Sequence, residues 1–238
     1  MLTILIKEIN EFLDSLIAYV VMGVFLTAIG LLTWIFPDTN VLDYGYASLE
    51  TLFTLGPYVF IFLIPAITMK SFAEEKRTGT LELLYTLPLR QNEIILGKFF
   101  AGFLLVIVAL IPTLIYYFSL HTLGNPVGNL DTPGIIGSYV GLVLLGGVFT
   151  SIGILASAIT QNQIVSFITA AFLCYVVYAG FESLANLAGE QAAFVADLGM
   201  LAHYNSLSRG VIDFTDIAYF VGVGYLMIVL TNLMMKKK

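Results

Sequence analysis

Few places in the 238-residue sequence carry residue types that could do chemistry. Glu74-Glu75, followed by Arg77, has the order of an intramembrane protease built on paired glutamates and a downstream arginine. Such an enzyme also needs histidines inside the membrane, because a catalytic zinc takes three protein ligands. The two histidines, His121 and His203, fall instead in separate loops between apolar runs. Gly97-Lys98 has the ending of a phosphate-binding loop, but Asn92 stands where that loop needs glycine. Phe99 stands where it needs Ser or Thr for magnesium. Cys174, the single cysteine, makes neither an intrachain disulfide nor a zinc site. Glu182 is read as the one ionisable side chain well inside an apolar run, near its end. A charge at membrane depth is a functional suspect by default, although it can also reach the nearby interface. No catalytic residues and no metal are expected on this chain. If ATP drives the protein, another chain must bind it.

The elements that would position these residues follow from composition. Hydrophobic residues make up 59% of the chain and charged residues 11%, and the mean hydropathy is +0.95. A soluble domain carries roughly a quarter charged residues, so much of this apolar surface must face lipid. Six runs can cross a hydrocarbon core, which needs roughly 20 helical residues: about 15–36, 53–72, 98–120, 135–158, 164–184 and 215–234. The runs are continuous rather than alternating, and open strand edges cannot face lipid. The expected fold is an all-α membrane protein, with 1–238 as one transmembrane domain. Gly56, Pro57, Pro65 and Pro112 should kink their spans. Gly141, Gly146, Gly147 and Gly153 should allow close helix packing.

Residues 1–14 are different. Leu2, Leu5, Ile6, Ile9, Phe12 and Leu13 recur at helical spacing opposite Thr3, Lys7, Asn10, Glu11 and Asp14. That pattern predicts an amphipathic helix lying in the membrane interface, and its charges argue against a cleavable signal peptide. Six spans put Lys7, Lys70, Lys76, Arg77, Arg90, Lys98 and Lys236 to Lys238 on one side. The other side holds only Arg209, against Asp38, Asp43, Glu50, Asp131, Glu190, Asp197, Asp213 and Asp216. The positive-inside rule makes the Lys-rich side cytoplasmic, with both termini there. On the outer side Arg209 could pair with Asp213 or contact a partner.

The segment 71–98 between the second and third spans is too long and too apolar for a plain connector. Thr80 can cap a short helix over Leu81 to Leu87, Glu82 suits its first turn, and Pro88 ends it. Leu81, Leu84 and Leu87 make an apolar ridge that either meets a groove on a partner or lies on the bundle.

This segment resembles the permeases of the type-2 ABC exporter family. Their pattern runs Glu, Arg, Thr/Ser-Gly-Thr, Leu-Glu-Leu-Leu, then Pro, then Gly-Lys. Here those positions are Glu74, Glu75, Arg77, Thr78, Gly79, Thr80, Leu81, Glu82, Leu83, Leu84, Pro88, Gly97 and Lys98. The resemblance implies that this segment is the coupling helix that docks into the ATPase, with Glu74, Glu75, Arg77 and Glu82 at the rim. The N-terminal helix looks like the family's connecting helix. The outer segment from Ala202 to Asp213 is similar to the gliding-motility-associated permease subunit of Bacteroidetes.

By that resemblance the chain is the permease of an ATP-driven complex in the bacterial inner membrane. ATP and Mg would sit on a cytoplasmic ABC ATPase subunit, with no cofactor on this chain and no nucleic-acid partner. Six spans are half of an exporter core, so a second membrane half is implied. It would be a copy of this chain or a related subunit with a periplasmic domain. The complex would export a substrate or act mechanically on a periplasmic partner. The rival reading is a channel or secondary carrier that works without ATP. The lack of titratable groups near the midplane argues against a proton-coupled carrier.

Overall fold

Inside lipid a backbone N–H or C=O finds a partner only within its own helix. In the computed structural model, which describes residues 1–43, 47–188 and 193–236, every regular element is accordingly helical. The order is α1 (Leu2–Leu13), α2 (Leu16–Trp34), α3 (Glu50–Thr68), α4 (Ala73–Thr78), α5 (Thr80–Thr86), α6 (Gln91–Leu110), α7 (Leu114–Leu123) and α8 (Thr132–Ile159). Then come α9 (Gln163–Tyr175), α10 (Phe181–Ala188), α11 (Ala193–Asp197), α12 (Met200–Ser208) and α13 (Phe214–Lys236). Of the charges used to assign sides, Glu190, Lys237 and Lys238 lie outside the described residues.

Five helical stretches are long and apolar enough to cross a membrane: Glu50–Thr78, Gln91–Leu123, Thr132–Ile159, Gln163–Leu187 and Phe214–Lys236. A sixth crossing arises if the bent pair Leu2–Leu13 and Ala18–Trp34, which meet at 71°, is one span. That bend turns the amphipathic α1 away from the span axis, as a helix lying along the interface requires. Five of the six predicted spans are therefore long apolar helices, and the first is matched only by the bent pair of α1 and α2. Pro112 sits in the 3-10 turn Ile111–Thr113 that separates α6 from α7. Pro57 and Pro65 lie inside α3, which is continuous from Glu50 to Thr68. The fifth crossing is interrupted by a π-helical turn, Val176–Gly180, between α9 and α10.

The buried helix at the centre is α8, against which α3, α6, α9, α12 and α13 pack. Its glycines let these neighbours close in. A Cβ at Gly153 would stand 2.0 Å from Thr68 Oγ1 on α3, and one at Gly146 would stand 2.7 Å from Val106 Cγ1 on α6. The main core runs the length of the bundle through Phe25, Phe60, Leu142, Phe149 and Phe220. A second, smaller core lies at the Lys-rich end, built from Ile4, Phe72, Leu84, Ile94, Ile95, Ile154, Ala158 and Met235. It ties α1, α4, α5 and α6 to the end of α8 and to the last turn of α13. Both ends of the described chain thus share one end of the bundle with α4 and α5.

Candidate functional site

The segment between the second and third crossings folds as two short helices held against α8. Past α3 the backbone N–H groups of Phe72 and Ala73 would be orphaned, as the first groups of any helix are. Both donate to Ser157 Oγ of α8, at 2.9 and 3.0 Å, and the same hydroxyl donates to Met69 O at 3.0 Å. Lys76 Nζ donates to the carbonyl of Ala158 near the end of α8, where a cation complements the helix dipole. Gly79 then adopts φ +75° and separates α4 from α5. A side chain is strained in that region, which is why the turn takes glycine.

The short helix predicted over Leu81 to Leu87 is α5, Thr80–Thr86, with Glu82 in its first turn. Leu87 is extended, as a residue before proline must be, and Pro88 follows the helix end. The cap differs from expectation. Gly79 occupies the cap position, and Thr80 makes no capping bond. The Thr80 hydroxyl is shared with that of Thr78 at 2.9 Å instead. Glu74 and Arg77 form an exposed pair at 3.9 Å, which contributes about 0–1 kcal/mol.

The two apolar faces of α5 have different surroundings. Leu84 is buried in the small core, and Leu81 packs beside it. Leu83, Tyr85 and Leu87 are exposed. Of the predicted ridge, Leu81 and Leu84 seat the helix on the bundle, whereas Leu87 is exposed and falls with Leu83 on the face open to a partner.

Beneath α5 lies an ionic cluster that sequence reasoning missed. Lys98 Nζ, on α6, is 2.6 Å from Glu8 Oε1 of α1 and 2.8 Å from Glu75 Oε1 of α4. Lys7 Nζ reaches the same Glu75 oxygen at 3.2 Å, and Glu8 and Glu11 at 3.5 Å each. Lys98 is only 2% exposed and stands 5.1 Å from the centre of the Phe72 ring. A buried ammonium is tolerable only when it is paired and hydrogen-bonded. Burial by itself would lower the Lys7 pKa, but Glu8, Glu75 and Glu11 outweigh it and hold that pKa above its ordinary value. Glu75 Oε2 is buried without a hydrogen bond among the described residues. Gly97, one residue before Lys98, brings α1 close enough for this cluster. A Cβ there would stand 2.9 Å from both Cβ and Cγ2 of Ile4. The Gly-Lys pair thus joins three elements: α1, α4 and α6.

The outer-side suspects do not converge. Glu182 is exposed in the first turn of α10. Arg209 ends α12 and is exposed, and no ion pair joins it to Asp213 among the described residues. The chain leaves the helix there through Gly210, at φ +81°, so the helical spacing that would bring positions 209 and 213 together is lost. Asp213 Oδ1 accepts from the backbone N–H of Thr215 at 3.5 Å. The buried acid of this end is Asp216, whose Oδ1 is 2.7 Å from His203 Nδ1. His203 stacks on Tyr219 at 3.9 Å. Ionisable residues are thus buried at Lys98 and Asp216 rather than at Glu182. The signal available for Lys98 was its position at the mouth of an apolar span with no adjacent acid.

None of the curated proteins matches the chain. A family model does match, over residues 2–233, and its description is ABC-2 family transporter protein. The match runs from α1 to the last turns of α13, so it takes in the α4–α5 segment and every candidate crossing among the described residues. With an all-helical membrane bundle and a match over nearly its whole length, this chain belongs to the ABC-2 family of transporter membrane proteins.

Proposed function

We propose that this chain is the permease through which a separate cytoplasmic ATPase drives an ABC-2 complex, and that α5 is the helix the ATPase grips. The observation that carries this reading is the division of α5 into two apolar faces. Leu84 anchors it in the small core, while Leu83 and Leu87 stay bare at the Lys-rich end. An exposed apolar strip on a short, firmly seated helix suits a groove on a partner. Glu74, Arg77 and Glu82 lie beside it, where charges tune specificity more than affinity.

ATP and Mg belong to the partner in this account. Closure of two ATPase subunits would push α5, and the push would pass to α3 through α4, and to α1 and α6 through the Glu75–Lys98–Glu8 cluster. ATP shifts the membrane bundle only by its differential affinity for the two states. The Lys-rich end faces the cytoplasm of a bacterium, so both termini lie inside. A second membrane half completes the core, either a copy of this chain or a related subunit with a periplasmic domain. The likeness of Ala202 to Asp213 to gliding-motility permeases supports that role for the complex, with export or a mechanical pull on a periplasmic partner as its output.

Leu83→Asp tests the reading. The variant should insert and purify as before but lose its ATPase on co-purification. Retention of a fully stimulated ATPase would overturn the assignment. Leu84→Asp is the wrong probe, because it buries a carboxylate in the small core.

A further inference from the structure

We propose that the cavity at the acid-rich end of the bundle is a binding site for an organic ammonium ion. The cavity measures about 590 Å³ and lies between α3, α8, α12 and the π-helical turn. Small-molecule sites typically occupy about 300–1,000 Å³. Its lining includes Glu50 and Asp131 and contains no lysine, arginine or histidine. Both residues are exposed, and their carboxylates give the cavity a negative sign that disfavours an anion. Asp131 Oδ1 also accepts from Gly134 N at 3.2 Å as the cap of α8. Glu50 makes no ion pair among the described residues.

An independent observation comes from the aromatic wall. Tyr178, in the π-helical turn, is 1% exposed and lines the cavity. Its ring stands edge-on to Tyr58 at 5.6 Å and to Tyr204 at 6.4 Å. The Tyr204 hydroxyl is committed, donating to Phe53 O at 2.8 Å. The Tyr178 hydroxyl makes no hydrogen bond among the described residues and is not one of their sealed-off unpaired atoms, so it keeps open surface where the residue lines the cavity. A π-helical turn shifts the register of the side chains beyond it and often marks a functional position. An ammonium ion satisfies each feature. Its charge suits the carboxylates, an N–H can be accepted by the Tyr178 oxygen, and its substituents pack on ring faces that attract cations.

The ligand is either a free amine or the headgroup of an ethanolamine lipid, which present the same group. The site does not depend on ATP coupling and is tested without the ATPase. Phenethylamine, its trimethylammonium derivative and phenethyl alcohol are dialysed to equilibrium against purified protein in maltoside micelles, with empty micelles as baseline. Phenethylamine should bind saturably and the alcohol about tenfold more weakly. Glu50→Gln should weaken both cations about fivefold, the equivalent of one screened charge contact. Tyr178→Phe should weaken phenethylamine about tenfold and leave the trimethyl compound, which has no N–H, unchanged. Displacement of phenethylamine by added phosphatidylethanolamine identifies the headgroup as the source, and its absence identifies a free amine. Equal binding of amine and alcohol, or wild-type affinity in both folded variants, would overturn the proposal.

Discussion

Lys98 shows most clearly how a single residue serves this bundle. Its ammonium is buried between Glu8 and Glu75, and the loss of one partner from such a group costs about 3–5 kcal/mol. Lys98→Met leaves the two carboxylates facing each other, so the thermal midpoint of the purified protein should fall sharply. Adding Glu75→Gln removes one of those carboxylates and should recover part of the loss, because members of one network are not additive. Losses that simply add would show that the two residues act separately. The sequence placed Lys98 at the mouth of the third span with no acid beside it, but did not show which charges it meets. Its partner Glu8 is 90 residues away in the chain, and composition carries no information about which distant charges meet. The pairing of His203 with Asp216 was hidden for the same reason. The expected pairing of Arg209 with Asp213 assumed a helix that Gly210 ends.

At the scale of the element, short helices are positioned by what they lean on. α1 packs along α6, and Gly97 lets the two backbones approach. Gly97→Leu would drive a side chain into Ile4 and Met1 O, and such overpacking costs about 1–3 kcal/mol. Amide exchange in Leu2–Leu13 should then rise while the crossings stay protected, and stimulation of the ATPase should fall with it. Unchanged exchange in α1 would mean that the helix is held by its lipid-facing stripe instead. Both α1 and α5 were legible as helices, since their spacing, the glycine at 79 and the proline at 88 speak directly to local structure. Which face of α5 turns inward was not legible. Leu81 and Leu84 share one side, Leu83 and Leu87 the other, and both are apolar. Only the small core formed by Phe72, Ile94, Ile154 and Met235 decides between them, and those residues come from four separate stretches of chain.

The whole molecule is a helical membrane bundle built around α8, with a Lys-rich end and an acid-rich end. The long apolar runs made five crossings legible, because lipid permits little else, while the first run folds as part of a bent helix pair. α8 is enclosed on nearly all sides, whereas the apolar window of α13 is only 11% buried within the chain and leaves a broad surface for lipid or for a second half. The Lys-rich end gathers α1, α5, the start of α6, the end of α8 and the last turn of α13 over one small core. The direct measurement is a photo-crosslinker placed in turn at positions 83 and 84 in cells that make the complete complex. The account predicts that position 83 captures the ATPase subunit, identified by its mass, and that position 84 yields only crosslinks within this chain. Capture of the ATPase from position 84 alone, or from neither position while the assembled complex hydrolyses ATP, would contradict it.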